Sequence, residues 1–175
     1  MENFDVLNEI GEFTGSVASR EECHKKGLYH KAVVVFIVNS KNEVLIQQRS
    51  SNKKLWPNKW DITAGGHVDA GEFGYEAVIR ETKEEIGIDI NVSDLIFIGC
   101  TISHNEQGDI INNHFNEFYI VKKDLNIEDI NLQLEEVQDI KWISKEDIIK
   151  MIKERNENLT TKWSCWYYLQ KYLEK

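Results

Sequence analysis

The chain has 175 residues, a formal net charge of −9, 41% hydrophobic residues and 29% charged residues. Those figures fit a soluble globular protein with a substantial core and argue against binding a nucleic-acid backbone as a polymer. No apolar stretch approaches the roughly 20 residues of a membrane span and no secretory leader is apparent. Cys23, Cys100 and Cys165 lack the spacing of a disulfide framework or thiolate zinc site, so a reducing cytoplasm is expected.

In chain order, residues 4–19 read as two short strands around Ile10-Gly11-Glu12, an N-terminal hairpin. Residues 20–31 are polar and carry Cys23, His24, Lys25, Lys26, Gly27 and His30. The run Ala32-Val-Val-Val-Phe-Ile-Val38 is β-branched and continuous, as in a buried strand. Asn39–Asn42 is a turn, and Val44–Arg49 returns as its hairpin partner. Residues 50–60 form a loop with the only proline, and two tryptophans there pack it down. Trp60–Thr63 is extended and leads to Gly65-Gly66. Leu95–Ser103 and Asn113–Val121 read as strands joined by a polar loop with Gly108, and Val137–Ile143 as another. Ser144 is an N-cap, with Asp147 three residues on, for a helix to about Arg155. A terminal helix over residues 163–174 carries Trp166, Leu169, Tyr172 and Leu173. With no repeat and no linker, strands and separated helices predict one α/β or α+β domain over residues 1–175.

The most informative stretch lies between these elements. Residues 73–86 read as a helix with Tyr75, Val78, Ile79, Thr82 and Ile86 on one mostly apolar stripe. Gly87 sits where a left-handed cap ends it. Glu81, Glu84 and Glu85 crowd on another side, with Ala77 leaving that side open and Arg80 one turn before Glu84. Repelling carboxylates at this spacing suit a hard divalent cation such as Mg²⁺, and the glycine pair lets backbone approach the same ion.

Gly66, Glu72, Arg80, Glu81, Glu84, Glu85, Gly87 and Ile88 together resemble the Nudix box, G-x5-E-x7-R-E-U-x-E-E-x-G-U, with U bulky and apolar. Thr82 replaces the first U. The resemblance implies a mixed sheet between helices, an α/β/α sandwich. It also implies Mg²⁺- or Mn²⁺-dependent attack of water on a diphosphate bond in a small phosphorylated metabolite. On that resemblance Glu81, Glu84 and Glu85 hold metal, with the Gly65 carbonyl as a further ligand. Arg80 positions a carboxylate and Glu72 steadies the turn. Glu117 and Glu136 join the box glutamates as candidate general bases.

Outside the box, His24, His30, Arg49, Lys53, Trp56-Pro57, Trp60, Gly66-His67 and Ser164-Cys165-Trp166 resemble isopentenyl-diphosphate isomerases and their hydrolase-like relatives. That branch implies diphosphate contacts at Arg49 and Lys53. It implies a pocket wall at Trp166, which the helix stripe alone reads as core. It also implies a second metal site from His24, His30, His67 and Glu117. Phe115 stands where that site's other glutamate would be, and His104 and His114 have no role. The isomerase needs a cysteine where this chain has Gly65, and glycine supplies no acid or base. The expected activity is therefore hydrolysis, with the isomerase or a non-catalytic phosphate-ligand sensor as alternatives. Homodimerisation is left open.

Overall fold

In the computed structural model, which describes residues 2–175, β1 (Asn3–Leu7) and β2 (Phe13–Ser19) form the expected antiparallel hairpin. A helix, α1 (Arg20–Lys26), follows where no element was expected. Its signals are local. The Ser19 hydroxyl accepts the Glu22 N–H, and Gly27 closes the helix at φ 62°.

The main sheet has six strands: β3 (His30–Val38), β4 (Val44–Arg49), β5 (Trp60–Asp61), β6 (Leu95–Gln107), β7 (Ile110–Lys122) and β8 (Val137–Ile143). The order is β5-β4-β3-β7-β6, with β8 also on β4. Only β3 and β7 run parallel, so the sheet is mixed. The β6–β7 pairing extends through most of the loop expected near residues 103–113, leaving a tight turn at Gly108.

Helix α2 (Gly74–Ile86) covers one face, and α3 (Lys145–Lys153) with α4 (Trp163–Leu173) covers the other. This is the α/β/α arrangement. Along β3, Val34, Phe36 and Val38 pack towards α3 and α4, whereas Val33, Val35 and Ile37 pack towards α2. A strand covered on both sides has no polar face, which explains its unbroken apolar run. The same alternation on β7 sends Phe118 and Ile120 to the α4 side and Tyr119 and Val121 to the α2 side.

Two side chains depart from the expected stripes. On α2 the buried residues are Gly74, Ala77, Val78, Thr82, Glu85 and Ile86, while Tyr75 is exposed. Ala77 therefore packs into the core instead of leaving the carboxylate side open. Thr82 tolerates burial because its hydroxyl donates to the Val78 carbonyl at 2.7 Å. Trp166 is 0% exposed, and its indole N–H donates to the Thr160 carbonyl at 2.9 Å. Burying such a side chain stabilises the fold by a few kcal/mol, about the scale of a large apolar residue.

Candidate active site

The glycine loop is fastened to β3: Val35 N–H donates to Ala64 O and Val33 N–H to Gly66 O, at 2.9 and 2.8 Å. A side chain at Gly66 would run into the Glu81 carboxylate, so this glycine leaves room for a functional group. A Cβ at Gly65 would lie 2.5 Å from the Val33 carbonyl oxygen.

Three carboxylates of α2 meet this loop in graded environments. Glu85 is nearly buried, and its Oε2 accepts the Gly65 N–H at 3.3 Å and the Gln47 amide at 3.2 Å. Burial, then the neighbouring Glu81 charge, push the Glu85 carboxyl up to about 8. Burial raises Glu81 as well, against the opposing pull of Arg80. Glu84 lies at the rim, its side chain 54% exposed.

Arg80 connects the group. It forks onto Glu72 at 3.0 and 2.9 Å, donates to Glu81 at 2.7 Å and Glu84 at 3.4 Å, and reaches back to the His67 carbonyl at 2.9 Å. Burial works against ionised Glu72, but Arg80 and the Asp69 N–H together hold its carboxyl below the usual range. Such bidentate pairing fixes geometry as well as charge. The sequence-predicted set Glu72, Arg80, Glu81, Glu84 and Glu85 is thus assembled beside Gly65 and Gly66.

The expected phosphate-binding residues stand differently. Arg49 donates to Leu55 O at 3.0 Å and pairs at 3.2 Å with Asp61, and Lys53 pairs with Glu136. Both therefore fold the 50–60 loop. Asp61 is fully buried and also holds Lys162 at 2.7 Å and the Thr160 hydroxyl at 2.9 Å. Its burial favours the neutral acid, yet Lys162 and Arg49 keep its carboxyl below the ordinary value. Lys162 was not singled out from sequence, since its partner lies 101 residues away and no local pattern links them. Trp166, expected at a pocket wall, belongs to the core behind this network.

The second metal set is corrected. Ligand atoms of His24, His30, His67 and His114 lie within 4.8 Å of one another. Glu117 is not among them, because it faces α2: it accepts from the Tyr119 hydroxyl at 2.7 Å and pairs with Lys31 at 3.3 Å, with its carboxylate against Gly74. His114 stands on the opposite side of β7, directly beside His30 on β3. Burial pushes His30 down to about 4 and His114 to about 3, and lowers His24 and His67 too. Among the described residues the buried Nε2 atoms of His24, His30 and His114 have no hydrogen-bond partner, at a cost of roughly 1–3 kcal/mol each. Phe4 stacks on His30 and His67 with centroids 4.8 and 4.7 Å apart. His104 is apart from this group, contacting Asn113 and Glu106.

With this geometry in place, the comparisons give the class of protein. The NUDIX domain family matches residues 28–163, and the chain belongs to that family. Its members generally use divalent metals such as Mg²⁺ or Mn²⁺. Among curated relatives, an uncharacterised Nudix hydrolase of Listeria monocytogenes is 38% identical over 149 residues, covering 85% of this chain and 83% of the relative. Nudix hydrolase 3 of Arabidopsis thaliana is 38% identical over 151 residues, 83% of this chain and only 20% of that longer protein. Isopentenyl-diphosphate Delta-isomerase of Escherichia coli is 28% identical over 171 residues, 97% of this chain and 89% of the enzyme. A crystal structure of DR0079 from Deinococcus radiodurans superposes with a TM-score of 0.72, at 21% identity and 99% and 98% coverage of the two chains. Among the described residues no helix is long and apolar enough to cross a membrane.

Proposed function

We propose that this chain is a cytoplasmic hydrolase of a diphosphate bond in a small phosphorylated metabolite of nucleoside-diphosphate type, dependent on Mg²⁺ or Mn²⁺. The observation that carries the reading is the trio Glu81, Glu84 and Glu85 gathered beside the Gly65-Gly66 loop. Oxygen-only donors suit hard cations, and burial, the main cause of the raised carboxyls of Glu81 and Glu85, makes ionised carboxylates costly there unless a cation accompanies them. The Gly65 carbonyl stands between two carbonyls already used by β3. Bound there, the cation supplies Lewis acidity that neutralises diphosphate charge and acidifies an attacking water.

The chain's own groups do the rest. Arg80 holds Glu81 and Glu84 in place and ties them to the loop through the His67 carbonyl. Glu72 fixes Arg80 by two hydrogen bonds. A glutamate of this group, Glu117 on β7 beside the start of α2, or Glu136 takes the proton from water. Arg49, Lys53 and Lys162 line the neighbouring loop and supply positive charge for phosphate oxygens once substrate competes with their internal partners.

Isomerase chemistry fits less well. At Gly65 a cysteine side chain would collide with the Val33 carbonyl, and Cys165 is buried with its thiol pushed up to about 12. The deciding experiment is a panel of diphosphate compounds with Mg²⁺ and Mn²⁺, reading phosphate release and which bond breaks. Metal-dependent cleavage is expected. Allylic isomer formation without phosphate release, or tight binding without turnover, would replace this reading.

A further inference from the structure

We propose that His24, His30, His67 and His114 form a four-imidazole site for one first-row transition-metal ion, with Zn²⁺ as the probe. The ion fastens the N-terminal hairpin and α1 to the glycine loop. The four rings come from four places: α1, the start of β3, the loop before α2, and β7. Their ligand atoms already lie within 4.8 Å of one another. A tetrahedral zinc–imidazole site needs nitrogens about 3.4 Å apart, so closure takes side-chain movements of about an ångström.

Two further observations point the same way. His30 Nδ1 donates to the Leu28 carbonyl at 2.8 Å, which leaves its buried Nε2 lone pair facing the cluster. Metal-bound histidines are oriented by this kind of hydrogen bond. The Nε2 atoms of His24 and His114 are likewise buried without a partner. Three rings that bury unpartnered nitrogens beside one another satisfy none of them, whereas a single cation held with His67 satisfies all three. Glu2, paired with Arg20, lies 3.9 Å from His67 Nδ1 and supplies a nearby carboxylate.

This set differs from the one implied by the isomerase resemblance. Phe115 replaces one carboxylate and packs near Tyr29. Glu117 faces the other side of the sheet. An all-nitrogen site selects zinc-like ions over Mg²⁺. The role follows from what the rings join. Among the described residues, the small core under the hairpin holds only Phe4, Val6, Ala18 and Cys23 as buried members, and Phe4 caps the histidines. An ion there ties that core to the rest of the chain.

The test uses the full chain stripped of metal, and none of its readouts is turnover, so it stands apart from the hydrolase reading. Titration with Co²⁺ should saturate at one equivalent with the intense visible bands of a four-coordinate site. Zn²⁺ should displace Co²⁺, excess Mg²⁺ should not, and Zn²⁺ should slow hydrogen exchange of the β1–β2 amides. His114→Gln should weaken Zn²⁺ binding at least about tenfold, while Glu117→Gln and Glu85→Gln leave it unchanged. Weak octahedral Co²⁺ bands, binding indifferent to His114→Gln, or equal weakening by Glu117→Gln would each overturn the proposal. If His114→Gln fails to fold, the Co²⁺ spectrum of the unmodified chain decides.

Discussion

Two donor clusters flank the loop from Gly65 to His67, and they are built on opposite terms. The carboxylate cluster is acidic, sits on one helix, and is partly neutralised by Arg80. The histidine cluster is uncharged, gathers four separate segments, and leaves the buried Nε2 atoms of His24, His30 and His114 without partners among the described residues. The contrast teaches that a chain can prepare for a cation in two ways. It can concentrate acidic groups and restrain them with an arginine, or withhold protons from buried rings.

The largest expected effect breaks the symmetry outright. Glu85→Gln or Glu81→Gln should cut metal-dependent turnover by on the order of 100-fold or more, while circular dichroism shows the fold intact. His114→Gln should not reproduce a loss of that size at saturating Mg²⁺. Near-parental rates in the glutamine variants would remove the carboxylate side from catalysis.

Acid separates the clusters next. His30 and His114 titrate near 4 and 3 in the fold, below the ordinary histidine value of 6.5. The unfolded chain therefore takes up protons first as pH falls. Stability is fully present above 6.5 and is lost as pH drops towards those lower values. For His114 alone the loss between pH 6.5 and 4 is on the order of 3 kcal/mol. Metal-free denaturant melts should show it, and His114→Gln should flatten the slope.

Alkali gives the opposite sign. Glu85 titrates near 8 in the fold, above the usual 4.5. The folded chain here holds the extra proton, so this contribution is present below 4.5 and lost as pH rises through about 8. From pH 7 to 9 the metal-free chain should lose about 1 kcal/mol more, and Mg²⁺ should raise Tm more at pH 9 than at pH 6. Equal Mg²⁺ shifts at both values would disprove the link.

The smallest effect concerns Trp166. Trp166→Phe removes the bond to the Thr160 carbonyl and should cost about 1 kcal/mol in stability with little change in KM. A large KM change would return this residue to the substrate pocket.

How much of this was legible follows from how each part is encoded. The carboxylate site was readable because its spacing is a helix repeat within 24 residues, from Gly65 to Ile88. The apolar run of β3 announced a strand covered on both faces. Helix α1 escaped notice because six polar residues around a single buried Cys23 show no apolar stripe, although Ser19 with Glu22 three positions later was its cap signal. His24, His30 and His67 were picked out by resemblance. His114 was passed over for Glu117, which is three positions later and therefore on the other face. Only the pairing of β3 with β7 reveals that His114 stands beside His30. The inward pairing of Arg49 and Lys162 on Asp61 rests on contacts across long separations, which no local pattern announces.

The alternation along β7 has a consequence for how the gene can change length. One strand serves two compartments, with His114 facing the rings and Glu117 facing α2. A single codon inserted ahead of His114 would rotate every later side chain by half a turn. It would hand Phe115 to the imidazoles and Asn116 to the helix side at one stroke. Length changes in this hairpin should therefore be accepted at the Gly108 tip, where neither compartment is touched, or in pairs.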